Sequence, residues 1–209
     1  MLSLGESFPD VACETTTIGP IRSLHSEFAR SSWVLFVCAG PDGVTLTELG
    51  ELERTREDFE KRRVKIFVLA CGGGEAWPAD VHAATGYNLT FPLITDANLE
   101  KSVGAPRAYY FVGPDARVRL VWSFPATTGV SSFEILRCFD SLARAERKLA
   151  TPVNWVPGRD VLLVPEVDSE EALPEWPQGI RTISLPSGSA ALRLTPDPLD
   201  DDSDPPPRQ

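Results

Sequence analysis

Lysine is scarce: only Lys61, Lys65, Lys101 and Lys148 stand among 20 basic residues. Thirty acidic residues outnumber these, giving a formal charge of −10 over 209 residues. So little positive charge excludes a binder of nucleic-acid backbones, which needs a basic face to release counterions. It does not exclude a small anionic ligand, which responds to the local field. Long apolar runs are also missing. Trp33–Val37 and Val64–Ala70 are strand-sized, far short of the ~20 residues that span a bilayer, so no membrane partner is expected. The opening MLSLGESFPDV has neither a basic region nor a long apolar stretch. It does not read as a secretory signal, and a cytoplasmic location is expected.

Histidine is limited to His25 and His82, neither near a cysteine, and Cys13, Cys38, Cys71 and Cys138 form no CxxC. That spacing argues against a zinc site and for free thiols. No G-x-G-x-x-G follows a strand, and Gly72-Gly73-Gly74 lacks the required spacing. No metal, flavin or nicotinamide cofactor is therefore expected. What is present is an ordinary globular core composition, 42% apolar and 9% aromatic. The 16 arginines, with 15 glycines and 19 prolines, follow a usage common in high-GC bacteria.

The hydrophobic pattern predicts a layered α/β domain. Asp10–Thr17 and Ile21–Leu24 flank a Gly19-Pro20 turn as a short hairpin. Trp33–Cys38 and Val64–Ala70 are continuous apolar runs, as in central strands covered on both faces. Ala39-Gly40-Pro41-Asp42-Gly43 is a loop. Thr45-Leu46-Thr47-Glu48 fits a capping box, with Thr45 as N-cap and Glu48 reaching back, and Leu46, Leu49 and Leu52 follow at helical spacing. Further helices are expected over Trp77–Tyr87, Asn98–Val103 and Ser132–Leu149. A short strand is expected over Phe91–Thr95, and a hairpin over Arg107–Val112 and Arg117–Trp122 around Gly113-Pro114-Asp115-Ala116. The order β-α-β-α-β-α-β-β-α implies a mixed sheet flanked by helices. Residues 1–150 form this domain. Residues 151–195, with strand-like runs Asp160–Val164, Ile180–Leu185 and Ala190–Leu194, form a small C-terminal module. Residues 196–209 are expected to be a disordered acidic, proline-rich tail in which Asp200–Asp204 is solvated.

A loop leading into a capped helix after the first central strand is a thioredoxin-like arrangement. Thr47-Glu48-Leu49-Gly50, Val112-Gly113-Pro114-Asp115, Pro125-Ala126-Thr127-Thr128-Gly129, Glu134-Ile135-Leu136-Arg137, Ala150-Thr151-Pro152-Val153-Asn154-Trp155, Leu185-Pro186-Ser187-Gly188 and Leu192-Arg193-Leu194-Thr195-Pro196 occur in this order. Together they resemble the one-cysteine peroxiredoxins, from about Gly5 to Pro198. The resemblance implies a thioredoxin fold, a homodimer whose C-terminal module packs on the partner and helps roof the pocket, and peroxide chemistry at a cysteine in Pro-x-x-x-Thr-x-x-Cys. Here the segment reads Pro41-Asp42-Gly43-Val44-Thr45-Leu46-Thr47-Glu48. Anchored on Pro41 and Thr45, Glu48 replaces the cysteine. Anchored on Thr47-Glu48-Leu49-Gly50, Thr45 replaces it and the loop is two residues shorter, which the helix register favours. Arg107, in Pro106-Arg107-Ala108-Tyr109-Tyr110, matches the family's later arginine, and Glu48 its glutamate one turn into the helix.

A threonine hydroxyl is not ionised at neutral pH and cannot replace a peroxide-attacking thiolate. Three chemistries are then open. The expected one is a repurposed enzyme that has lost ordinary peroxidase activity. It would bind or transform a small oxyanionic or carbonyl substrate beside Arg107, Thr45 and Glu48, with Pro41, Gly43 and Val44 lining the approach. The alternative is a thiol-dependent peroxidase using a relocated Cys38, next to the same loop, with Cys71 as a weaker second candidate. The third is a non-catalytic dimeric scaffold. Capping alone also accounts for Thr45 and Glu48, burial alone for Cys38, and a structural ion pair for Arg107.

Overall fold

The computed structural model describes residues 1–29, 33–103, 107–167, 176 and 179–199. It divides into two units, residues 1–136 and 137–209. In the first, a five-stranded sheet has the order β3-β2-β1-β4-β5, formed by β1 (Trp33–Ala39), β2 (Val64–Ala70), β3 (Leu93–Ile94), β4 (Ala108–Val112) and β5 (Val118–Ser123). β1, β2 and β3 run parallel, and β4 and β5 are antiparallel additions. β1 is buried at every position and β2 at all but one, as their unbroken apolar runs require.

Register assigns each side chain to a face. Val37 lies opposite Tyr109 and Cys38 opposite Ala108, and successive side chains alternate across a strand. Val34, Phe36, Cys38 and Tyr110 therefore share one face, where Phe8, Leu24, Phe28 and Phe67 complete a core. Ring centroids there are 4.5 Å apart for Phe8–Phe36 and 5.4 Å for Phe28–Phe67. Leu24 and Phe28 belong to α1 (Leu24–Phe28), capped by the Ser23 hydroxyl, where the sequence suggested the end of a hairpin. Of that hairpin only a bridge between Cys13 and Ile21 forms.

The opposite face carries Tyr109 beneath α2 (Gly43–Arg54), which gives way at Thr55 to α3 (Arg56–Lys61). The cap of α2 corrects the expectation. Asp42, not Thr45, is the N-cap, accepting the Thr45 amide at 2.8 Å, and Thr45 is the third helical residue and buried. A carboxylate three residues earlier satisfies the free amide first, so Glu48 is released from capping. A Cβ on Gly50 would lie 2.6 Å from the Thr85 side chain, so glycine is what lets α2 approach α4 (Trp77–Thr85) so closely. α5 (Ala97–Val103) precedes β4. The Gly113–Ala116 turn closes by two backbone bonds, Gly113 N–H to Arg117 O and Ala116 N–H to Gly113 O.

α6 (Ser132–Ala145) ends four residues earlier than expected, because Lys148 takes a positive φ and β6 (Leu149–Ala150) begins. The second unit holds an antiparallel sheet of order β6-β7-β9-β8, with β7 (Val161–Leu163), β8 (Arg181–Thr182) and β9 (Arg193–Thr195). It surrounds a small core of Leu149, Trp155, Val161, Leu163 and Trp176. Asp197, expected in a disordered tail, is buried and bound by Arg144 at 2.7 Å, and the Arg144 guanidinium stacks over Trp155. Residues 200–209 of the expected tail, including Asp200–Asp204, lie outside the described residues. Among the described residues no helix is long and apolar enough to cross a membrane.

Candidate functional site

Arg107 enters β4 with a backbone φ of +65°, a left-handed conformation that is strained for a side chain of this size. Two backbone bonds hold it there. Its N–H donates to the Cys38 carbonyl at 2.6 Å, and its carbonyl accepts the Phe124 N–H at 3.1 Å. The conformation turns the side chain toward the start of α2, where it is only 3% exposed. Nη1 donates to Glu48 Oε2 at 3.1 Å and to Thr45 Oγ1 at 3.3 Å. Nη2 donates to Glu48 Oε1 at 2.8 Å and to the Thr128 carbonyl at 2.6 Å. Asp42 stands 3.7 Å away. Nε has no hydrogen-bond partner among the described residues.

Glu48 is the hub. Besides the guanidinium it accepts the Tyr109 hydroxyl at 2.6 Å and the Val130 N–H at 2.8 Å. Burial raises the Tyr109 phenol far above its ordinary range, and the neighbouring Glu48 charge adds to the effect. For Arg107 burial pulls downward, but the hydrogen bond and charge of Glu48 outweigh it, so the guanidinium is held more firmly protonated than usual. Pro41 and Gly43 are exposed, and Val44 is half-buried, with Gly129 close against it. Pro106 lies outside the described residues. Beside this network a shallow recess is lined by Glu48, Glu51, Tyr109, Val130, Ser132 and Ile135.

No sulfur belongs to this arrangement. The β1 register sends Cys38 to the face opposite Tyr109, into the Phe8–Phe36 core, and not toward the α2 N-terminus. There it meets Cys71, the first residue past β2, whose N–H donates to the Ala39 carbonyl at 2.8 Å. Both thiols belong to the same buried core. As a thiol, Cys71 also donates to the Leu69 carbonyl at 3.8 Å. The neighbouring Cys38 thiol draws Cys71 below its ordinary range, against burial and the Glu100 charge. The Cys71 neighbour, together with burial, pushes Cys38 well above it.

Residues 143–179 match the family model described as the C-terminal domain of 1-Cys peroxiredoxin. The chain is 37% identical to a 1-Cys peroxiredoxin of Arabidopsis thaliana, over 93% of this chain and 97% of that one. It is 35% identical to Peroxiredoxin-6 of Bos taurus, over 94% and 98%. A crystal structure of a cysteine-to-serine mutant of the Peroxiredoxin 6 of Arenicola marina superposes with a TM-score of 0.82 at 34% identity, covering 95% of this chain and all of that one. A yeast mitochondrial 1-Cys peroxiredoxin superposes at 0.81 with 25% identity, covering 94% of this chain and all of that one. The chain belongs to the 1-Cys peroxiredoxin family.

The fold is accordingly the thioredoxin-like mixed sheet of that family. Such close relatives overturn the expectation of a repurposed enzyme acting on an oxyanionic or carbonyl substrate: peroxiredoxins are peroxidases, and 34–37% identity covers more than nine-tenths of this one. The geometry agrees. The terminal nitrogens of Arg107 are already engaged by Glu48, Thr45 and Thr128, so Nε alone is left to offer an oxyanion. Arg107, Thr45 and Glu48 do come together as the sequence suggested, and Cys38 does not join them. Sequence reasoning missed Tyr109, Thr128 and Val130 as partners in this peroxiredoxin's network. Only the alternation of β4, which sets Tyr109 on the α2 face, pointed to any of them.

Proposed function

We propose that this peroxiredoxin is a thiol-dependent peroxidase whose reacting sulfur stands at the carboxyl ends of β1 and β2, with Cys71 as the attacking group. The supporting observation is the place of Cys71, which follows β2, donates its N–H to the Ala39 carbonyl at the end of β1 at 2.8 Å, shares a core with Cys38 and precedes the exposed glycines Gly72 and Gly73. Peroxide reduction needs a thiolate, and Cys71 is the thiol drawn below its ordinary range. Burial, with Asp96 and Glu14 adding, pushes Cys13 up to about 11, and Cys38 is raised by its Cys71 neighbour and by burial. This moves the attacking role from Cys38, the sequence candidate inside β1, to Cys71, which is also buried at 3% exposed but stands past the end of β2 beside the exposed glycines.

The electron donor in this proposal is a thiol of the glutathione or thioredoxin class, the systems named for the yeast mitochondrial relative. A homodimer, implied by the family resemblance, and a cytoplasmic location belong to the same proposal. The test is hydroperoxide consumption with dithiothreitol as reductant. Cys71→Ser should lose more than tenfold of the rate, while Cys13→Ser and Cys138→Ser keep it. Full activity in Cys71→Ser would overturn the assignment.

A further inference from the structure

Cys71 is 3% exposed, yet the two residues that follow it, Gly72 and Gly73, are open to solvent. Both ends of this turn are fixed. Cys71 is tied to β1 by its N–H, which donates to the Ala39 carbonyl at 2.8 Å. Gly74 is buried so tightly that a Cβ there would lie 2.4 Å from the Ala70 Cβ and 3.4 Å from the Thr95 side chain. Its carbonyl also accepts the N–H of Trp77, the buried first residue of α4, at 3.1 Å. Between these anchors, among the described residues, Gly72 and Gly73 make no hydrogen bond. A Cβ at either position would meet nothing within 4 Å, and their φ of +81° and +120° are open to glycine and rare for other residues.

We infer that Gly72 and Gly73 form a flap beside the Cys71 thiol, and that its opening, not unfolding of the sheet, sets how fast a reagent reaches the sulfur. This rests on the peroxidase assignment above for the identity of that reagent, a hydroperoxide. Motion at Cys71 would break its bond to Ala39, and motion at Gly74 would break its packing on Ala70 and Thr95. The two glycines between them change conformation without either loss. A segment with so few contacts opens at a small fraction of the cost of global unfolding. Strain exposes such a device. An alanine at either position has room for its methyl group but not the backbone conformation, so it destabilises the closed flap and adds no clash. The φ of Gly73 lies farther than that of Gly72 from the left-handed region that other residues can enter.

The experiment is timed iodoacetamide alkylation of the full native chain without peroxide, with the Cys71 peptide quantified by mass spectrometry. Gly72→Ala should raise its rate roughly 5–30-fold, the factor implied by the strain of such a residue in left-handed backbone. Gly73→Ala should raise it at least as much. Gly86→Ala is the control. Gly86 closes the far end of α4 at a φ of +80°, and a Cβ there would also meet nothing within 4 Å. It carries similar strain and should leave the rate of Cys71 unchanged. Wild-type rates in Gly72→Ala and Gly73→Ala would overturn the flap. So would an equal rise in Gly86→Ala, which would mean that general unfolding exposes the thiol. Single-turnover hydroperoxide consumption should rise with alkylation. If alkylation rises and consumption does not, the flap stands and the peroxidase assignment fails.

Discussion

The Glu48 carboxylate receives both terminal nitrogens of Arg107, at 2.8 and 3.1 Å, inside a site where the arginine is 3% exposed. A planar, bidentate pair of this kind is strong as a pair, and removing one member leaves an uncompensated charge. Glu48→Ala and Arg107→Ala should each cost about 3–5 kcal/mol of stability. The double variant should cost clearly less than the two together, because the residues act as a unit. Urea unfolding of the four proteins measures this. Strictly additive losses would show that the contact does not couple them.

Thr45 contributes its position rather than its chemistry. Its hydroxyl meets Arg107 Nη1 at 3.3 Å on the first turn of α2. A thiol there would feel both the guanidinium and the helix N-terminus, each of which favours the anion. In a Cys71→Ser background, Thr45→Cys should therefore create a thiol with a pKa below about 8.5, the free-cysteine reference. It should also restore peroxide consumption. The pH dependence of iodoacetamide alkylation reads the first outcome. A value at or above the reference would mean that Glu48 and Asp42 cancel the cation.

Alkaline stability should fall. The Cys13 thiol is raised from 9.0 to about 11 by burial first and then by Asp96 and Glu14. Cys38, Tyr109 and Tyr110 are raised as well. A raised folded-state value means that the native chain keeps a proton which the unfolded chain releases. The stabilisation is complete below about 9 and is lost as pH climbs toward 11. Cys13 alone should account for about 1 kcal/mol at pH 10, at roughly 1.4 kcal/mol per unit. Urea unfolding from pH 8 to 10.5 should show this decline, less steep in Cys13→Ala. Equal slopes in the two proteins would remove Cys13 as a contributor.

Strand positions were legible because they depend on short-range chemistry. Trp33–Cys38 and Val64–Ala70 are continuous apolar runs, and they became β1 and β2 with one added residue between them. Arg107 was legible through family words alone, and Glu48 through those words and through a capping box that the structure does not form. The cap of α2 was misplaced because Asp42 and Thr45 are both good caps, and local propensity does not choose between a carboxylate and a hydroxyl three residues apart. The face taken by Cys38 was hidden for a different reason. In a strand buried on both sides, the apolar run carries no alternation to tell one face from the other. Only the pairing of Val37 with Tyr109 and of Cys38 with Ala108 settles it. The Cys38–Cys71 contact required the same register between β1 and β2, which sequence separation conceals.

Asp197 offers a test of where order ends in the second unit. Its side chain is 1% exposed, and Arg144 grips it through Nη2 at 2.7 Å and Nε at 3.0 Å while stacking over Trp155 at 5.0 Å. Asp197→Ala would leave a buried guanidinium with its main counter-charge gone. The expected cost is about 3–5 kcal/mol, the range for breaking such a pair from one side. At roughly 2–4 °C per kcal/mol for a chain of this size, the thermal midpoint should drop by roughly 6–20 °C. A chain ending after residue 199 keeps the pair and should melt like the wild type. One ending after residue 195 loses it and should melt like Asp197→Ala. If the shorter truncation also leaves the midpoint unchanged, the Arg144–Asp197 pair contributes nothing to stability, and Asp140 and Trp155 would have to accommodate the guanidinium.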